Sequence, residues 1–176
     1  MLIQELTRHE SLEVLAHTHL GRLACARGMQ PYIVPIHFAY QNNCLYSFSM
    51  LGQKIDWMRA NPLVCVEADQ MRREQWATVV AFGRYEELWD TPECSIERTL
   101  AFNLLRQRAM WWEHGGVKKM PAGTPAAVPV FYRIKIVQIT GRRATVEPGA
   151  PDIRQSTANP AKKSWLDKLL RRVRRR

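Results

Sequence analysis

The sequence has no apolar run near the ~18 residues needed to cross a bilayer, and its first twenty residues carry Glu and His where an export signal would have a basic start and an apolar stretch. A cytoplasmic protein is expected. Cysteine is scarce: Cys25, Cys44, Cys65 and Cys94 stand at least 19 residues apart with no CxxC pair, which argues against a zinc site and a disulfide framework. His17 and His19 fall at a helix end, and no metal centre is expected. Glycine (9) and proline (10) are too few for a collagen-like or low-complexity chain. Also missing are a Walker loop, a GxGxxG fingerprint, GxSxG, HExxH and an EF-hand loop. Glu86 and Glu87 are adjacent, so their carboxylates diverge along a strand and make a poor acid/base pair. An enzyme built on this chain must therefore borrow its reactivity from a bound cofactor.

What is present describes one soluble globular domain with an appendage. The 176 residues are 46% apolar and 24% charged, enough for a sizeable core. A net charge of +10 looks like a nucleic-acid signal until its position is read. From Pro148 onward there are nine basic and two acidic residues, +7 of the total, which leaves +3 on residues 1–147. The chain thus divides into a domain over 1–147 and, over 148–176, a Pro/Gly linker with a basic tail. Trp165, Leu166, Leu169, Leu170 and Val173 share one helical face, with Lys and Arg on the other. Such a tail reads as a weak contact to anionic membrane, a contact to nucleic acid, or a disordered segment.

Thr7-Arg8-His9-Glu10 has the form of a capping box and opens a first helix, with Leu12, Leu15 and Ala16 as its apolar stripe. Residues 22–27, 32–40 and 44–49 read as strands, with turns at Gly28 and at Gln41-Asn42-Asn43. A short helix over about 54–60 is stopped by Asn61-Pro62, because the residue before proline avoids helical geometry. Strands resume over 63–68 and 77–86, the second long enough to bend or bulge at Gly83. Thr91 and Pro92 open another helix running to about Trp111, and Val128 to Thr140 is the last strand. Six strands with peripheral helices make a mainly β, small antiparallel barrel.

Three places could carry chemistry. Proline inside the strand 32–40 removes a ladder hydrogen bond, so one flank of that backbone is open beside His37. It reads either as a ligand-holding edge or as an edge strand with a partly buried histidine. Ser49-Met50-Leu51-Gly52-Gln53-Lys54 leads straight into the short helix; hydroxyl, lysine and unpaired first-turn amides together suit a phosphate-sized anion. The alternative is a solvated lysine at a helix start. Trp111-Trp112, followed by His114-Gly115-Gly116, cannot both lie on one helical face, so one ring stacks on a flat ligand, makes an oligomer contact, or is covered by the following loop.

The order Leu20-Gly21-Arg22-Leu23-Ala24, then Pro31 to Phe38, then Leu45 to Ser49, Gly52-Gln53-Lys54, Asn61-Pro62 and Val79 to Glu87 resembles the pyridoxamine 5′-phosphate oxidase-like flavin-binding split-barrel proteins. Within them it is most similar to the branch containing 5-nitroimidazole reductase-like proteins, over about residues 5–140. The resemblance implies a six-stranded antiparallel split β-barrel that forms a homodimer, with FMN in clefts between the two subunits. It also implies that Lys54, with Ser49, Gly52 and Gln53, holds the FMN phosphate. Pro35, Ile36, His37 and Phe38 would line the isoalloxazine ring through exposed backbone, Thr78 and Val79 would complete the wall, and Trp112 would approach from the partner. The implied activity is an FMN-dependent oxidoreductase passing hydride from a nicotinamide donor to a small nitroaromatic or quinone acceptor. His37 would hydrogen-bond or protonate that acceptor. The other implied reading is a stress-related flavin- or haem-binding protein without turnover, with His37 and His114 as axial ligands; a deazaflavin is a further alternative to FMN. The Arg-Leu-x-Pro ending of true pyridoxamine 5′-phosphate oxidases is missing, which speaks against vitamin B6 oxidation. Gln53 stands where the family often has a second basic residue.

Overall fold

The computed structural model describes residues 1–72, 75–107 and 129–145. The tail after 147, Trp111-Trp112 and His114 lie outside the described residues.

Helix α1 (Arg8–His17) begins where its cap puts it. Thr7 Oγ1 accepts from the Glu10 amide at 3.2 Å while the Glu10 carboxylate accepts from the Thr7 amide at 2.9 Å, so two otherwise orphaned donors are satisfied reciprocally. The buried face of α1 is Ser11, Val14 and Leu15, with Leu12 only partly covered. The expected stripe is therefore shifted, and Ser11 is accommodated because its hydroxyl donates to the Thr7 carbonyl at 2.9 Å.

Strands β1 (Leu2–Glu5), β2 (Leu20–Arg27), β3 (Gln30–His37), β4 (Ala39–Gln41), β5 (Cys44–Ser49), β6 (Leu63–Arg72), β7 (Gln75–Leu88) and β8 (Val130–Thr145) form one antiparallel sheet in the order β3-β2-β6-β7-β8-β5-β4, with β1 added against β8. The β2–β3 turn uses Gly28 at φ +58°, and the β4–β5 turn puts both Asn42 and Asn43 at positive φ, as a two-residue hairpin with the right twist requires. The two ends of the hydrogen-bonded path, β3 and β4, are consecutive in the chain and separated only by Phe38. One continuous run thus starts on one margin of the sheet and ends on the other, which wraps the sheet into a barrel with a split along β3.

Eight strands stand where six are expected, for two local reasons. The Phe38 amide donates to the His19 carbonyl at 3.0 Å, carrying the β2–β3 register one pair further, and there the run 32–40 changes partner from β2 to β5, which divides it into β3 and β4 without disturbing its alternation. Leu2–Glu5 is too short to show a period of its own, yet pairs with β8 from Leu2↔Thr145 to Glu5↔Arg142. β8 also continues past Thr140, because Gly141 is interior to the strand: a Cβ there would stand 2.6 Å from Ser11 Oγ, so its lack of side chain lets α1 pack down. Pro92–Cys94 is a 3₁₀ turn, and helix α3 proper is Ser95–Arg106.

Helix α2 (Gln53–Ala60) buries Ile55 and Met58 in the barrel core beside Leu23, Ile36, Phe38, Val66, Val79 and Ile134. α3 covers the outside of β5 and β8, where Ala101 meets Cys44, Tyr46 and Leu88. Among the described residues no helix is long and apolar enough to cross a membrane.

Candidate functional site

Among the described residues strand β3 pairs only with β2, from Leu20↔His37 to Arg27↔Gln30, so no described strand takes its other flank and the missing amide of Pro35 costs no ladder bond there. Side chains alternate along it: Ile33 is 65% exposed and Pro35 exposed, whereas Ile36 and Phe38 are buried in the core. Ile36 and Phe38 therefore offer the cleft only backbone, and the Phe38 amide is already taken by His19. His37 is half-buried, and burial pushes its pKa down, favouring the neutral imidazole at neutral pH.

The antiparallel register of β4 and β5, Ala39↔Tyr46 and Tyr40↔Leu45, carries on across the split. There the buried Ser47 hydroxyl donates to the His37 carbonyl at 2.7 Å. Pro35 to His37 consequently run past the end of β5, where Ser49 Oγ donates to the Met50 carbonyl at 3.0 Å and the chain leaves the sheet. Met50, Leu51 and Gly52 are exposed, and α2 starts without a side-chain cap. The Ile55 and Asp56 amides both reach the Gly52 carbonyl, at 2.9 and 3.1 Å, and no cap takes up the amides of the turn before them. A Cβ on Gly52 would meet nothing within 4 Å, so space is open in front of this helix start.

Lys54 stands at that point. Its side chain is half-buried and has no hydrogen-bond or ion-pair partner among the described residues; burial pushes its pKa down, with the Cys25 thiol the opposing influence. A partly desolvated ammonium without a partner among the described residues, on a helix start without a side-chain cap, suits an anion that would offset its burial cost. Ser49, Gly52, Gln53, Lys54, Pro35 and His37 are thus brought to one side of the split.

Thr78 and Val79 are not brought there. Val79 is fully buried in the core, so its side chain cannot wall a cleft. Thr78 faces outward from the sheet and donates to Glu67 Oε1 at 3.0 Å; it shares a pocket of about 470 Å³ with Val80, Thr140 and Arg142. α2 packs on β2, while Thr78 lies between Asp69 and Arg142 on β6 and β8. Trp112 lies outside the described residues.

Two features escaped the sequence. Arg22 bridges Glu67, at 3.2 Å, and Asp69 on the outer face of β2 and β6. Ser47 links β3 to β5. Alternation puts Arg22, Glu67 and Asp69 on one face, but only the cross-strand register makes them neighbours. The diverging carboxylates behave as expected: Glu86 takes Arg133 at 2.8 Å and Lys135 at 2.9 Å, while Glu87 turns to Arg59.

Residues 7–143 match the family model described as pyridoxamine 5′-phosphate oxidase. A protein of Rhizobium meliloti (strain 1021) that has no assigned activity is 45% identical over 146 residues, 82% of this chain and 97% of its own length. The crystal structure of an FAD-binding protein from Mesorhizobium loti shares 42% identity with a TM-score of 0.70, covering 82% of this chain and all of that one. A candidate 5-nitroimidazole antibiotic resistance protein from Bacteroides thetaiotaomicron VPI-5482, at 18% identity and a TM-score of 0.60 over 81% of this chain and 89% of its own, shares the fold. The match spans the split barrel, the open β3 edge and the loop into α2 together, and the chain belongs to the pyridoxamine 5′-phosphate oxidase family.

Proposed function

We propose that the protein is a flavin-dependent oxidoreductase that takes reducing equivalents from a nicotinamide donor and passes them to a small acceptor of nitroaromatic or quinone type. Lys54 carries this reading: a half-buried cation without a counter-ion among the described residues, at a helix start without a side-chain cap, beside an open strand edge. Those residues fit a flavin. Lys54 and the first-turn amides of α2 hold its phosphate, and the flank of β3 at Pro35 offers backbone to the flat ring. A bound flavin supplies the two-electron chemistry that no side-chain constellation of this chain provides. His37, held neutral by burial, accepts or donates a hydrogen bond at the acceptor. The Mesorhizobium loti relative is an FAD-binding protein, and the open space before Gly52 suits a mononucleotide or a dinucleotide alike.

The test is the visible spectrum of the purified protein with chromatography of what heat releases, followed by NAD(P)H oxidation with a nitroaromatic or quinone acceptor. Flavin bands, with FMN or FAD released and turnover above that of the free flavin, are expected. A Soret band assigns haem instead, and a colourless protein that takes up neither flavin overturns the proposal.

The reading includes a homodimer. Leu63 (65% exposed), Phe82 (45%) and Val137 (76%) line an apolar groove of about 500 Å³ on the outer sheet face with Ala24, Ala26 and Cys65. A second copy seated there covers the groove. Phe82→Glu places a charge in that face, so sedimentation should show a monomer with its flavin lost. A Phe82→Glu variant that remains dimeric removes this face as the interface.

A further inference from the structure

Arg59, Tyr85 and Glu87 take no part in the site above, and the structure joins them. Arg59, in the last turn of α2, forks onto the Glu87 carboxylate of β7 with Nε at 2.8 Å and a terminal nitrogen at 2.7 Å. Tyr85 Oη donates to the same carboxylate at 2.9 Å. The Glu87 side chain is only 7% exposed, and the Arg59 guanidinium lies 5.4 Å over the Trp89 ring. Burial alone would push the Glu87 carboxyl up; the bonds from Arg59 and Tyr85 overcome it and leave the group below its ordinary range. The adjacent Glu86 is committed to Arg133 and Lys135 on the opposite face, so it offers Arg59 no alternative partner.

Among the described residues the far end of α2 has no comparable restraint. The chain enters it through exposed Met50, Leu51 and Gly52 with no side-chain cap, and only Ile55 and Met58 are buried along its two turns. Those two contacts, centred between Ile55 and Met58, are the pivot about which the helix can tilt. Lys54 lies about two and a half residues from that pivot, roughly 4 Å along the axis, so a tilt of about 15° displaces it by roughly 1 Å. That is enough to lose an N–H to phosphate bond, whose useful range is about half an ångström wide.

We propose that the Arg59–Glu87–Tyr85 clamp is the positioning device of the anion site: it fixes the tilt of α2 so that Lys54 and the first-turn amides converge on the flavin phosphate. The proposal rests on the flavin reading and adds to it that phosphate recognition is set from the opposite end of the helix, by residues that touch no ligand.

Riboflavin has the ring of FMN and FAD but no phosphate, so the ratio of their dissociation constants isolates the phosphate contribution. Wild type should prefer FMN or FAD to riboflavin. In Arg59→Gln and Glu87→Gln that preference should fall about tenfold, the scale of one charge-assisted bond lost, with the riboflavin constant unchanged. Tyr85→Phe, which keeps the Arg59–Glu87 fork, should move the ratio the same way by less, and serves if the charge-deleting variants do not fold. A general loosening of the barrel would weaken all three ligands together; that outcome, or an unmoved ratio, overturns the clamp while leaving the flavin reading intact. Wild type that binds none of the three overturns both.

Discussion

Lys54→Met lowers the affinity for FMN or FAD by about 30-fold and leaves the unliganded protein as stable as wild type or more stable. The two effects have opposite signs because one side chain serves two balances. Towards a phosphate, an ammonium contributes a charge-assisted hydrogen bond of about 2 kcal/mol, which is the stated factor in a dissociation constant. Towards the fold, the same ammonium is half-buried, and no carboxylate among the described residues offsets its desolvation. Methionine keeps most of the stem that packs there and removes the charge. Titration calorimetry and a urea melt of the unliganded protein check the pair; equal affinity, or a loss of more than about 1 kcal/mol in the melt, would contradict it.

The pH dependence follows with its sign. Burial lowers the Lys54 pKa from that of an ordinary lysine, and the phosphate binds the ammonium form. Affinity is therefore full below the lowered pKa and falls as pH rises through it, earlier than for an exposed lysine. Lys54→Met should show no such fall. A wild-type affinity that stays flat up to the range of a free lysine would mean that the ammonium is not at the phosphate.

The parts of this site legible in the sequence are those specified by neighbours in the chain. The capping box at Thr7, the Asn42-Asn43 turn, the open edge at Pro35 and the Gly52-Gln53-Lys54 entry to α2 each depend on a few consecutive residues, and each is found in place. The resemblance implies Val79 at the cleft, whereas the alternation that puts Thr78 outward turns the Val79 side chain into the core. The Ser47 to His37 bond spans the split of the barrel, and the Arg59 clamp ties a helix to a strand 28 residues away. Both depend on which strands come to lie side by side, and no local pattern encodes that. The strand count differs for the same reason at Phe38, where the run changes its pairing partner from β2 to β5.

Gly83→Ala and Gly52→Ala should separate stability from binding. Phe82 pairs with Gln138 but Gly83 with Ile136, so β8 carries one extra residue there, and the unpaired Val137 is pushed out onto the apolar outer face. At Gly83 an added Cβ would stand 2.5 Å from the Lys135 carbonyl oxygen and 2.7 Å from Ile134 Cγ2. The first obstacle is backbone held in the longest ladder of the barrel, and it cannot swing aside as a flexible side chain would. Overpacking of this kind costs about 3 kcal/mol, visible as a lower urea midpoint at unchanged slope. Molecules that remain folded keep Lys54 and the β3 edge in place, so their flavin affinity should hold. Gly52 is the converse. Its backbone is extended, a conformation any residue adopts, and the protein leaves the Cβ position empty, so alanine there is neutral or stabilises by up to about 1 kcal/mol through the unfolded chain. The empty position is, however, where the anion must approach the start of α2, and the added methyl should cut FMN and FAD affinity while sparing riboflavin. If Gly52→Ala binds all three flavins as wild type does, the space in front of α2 is not where the phosphate sits.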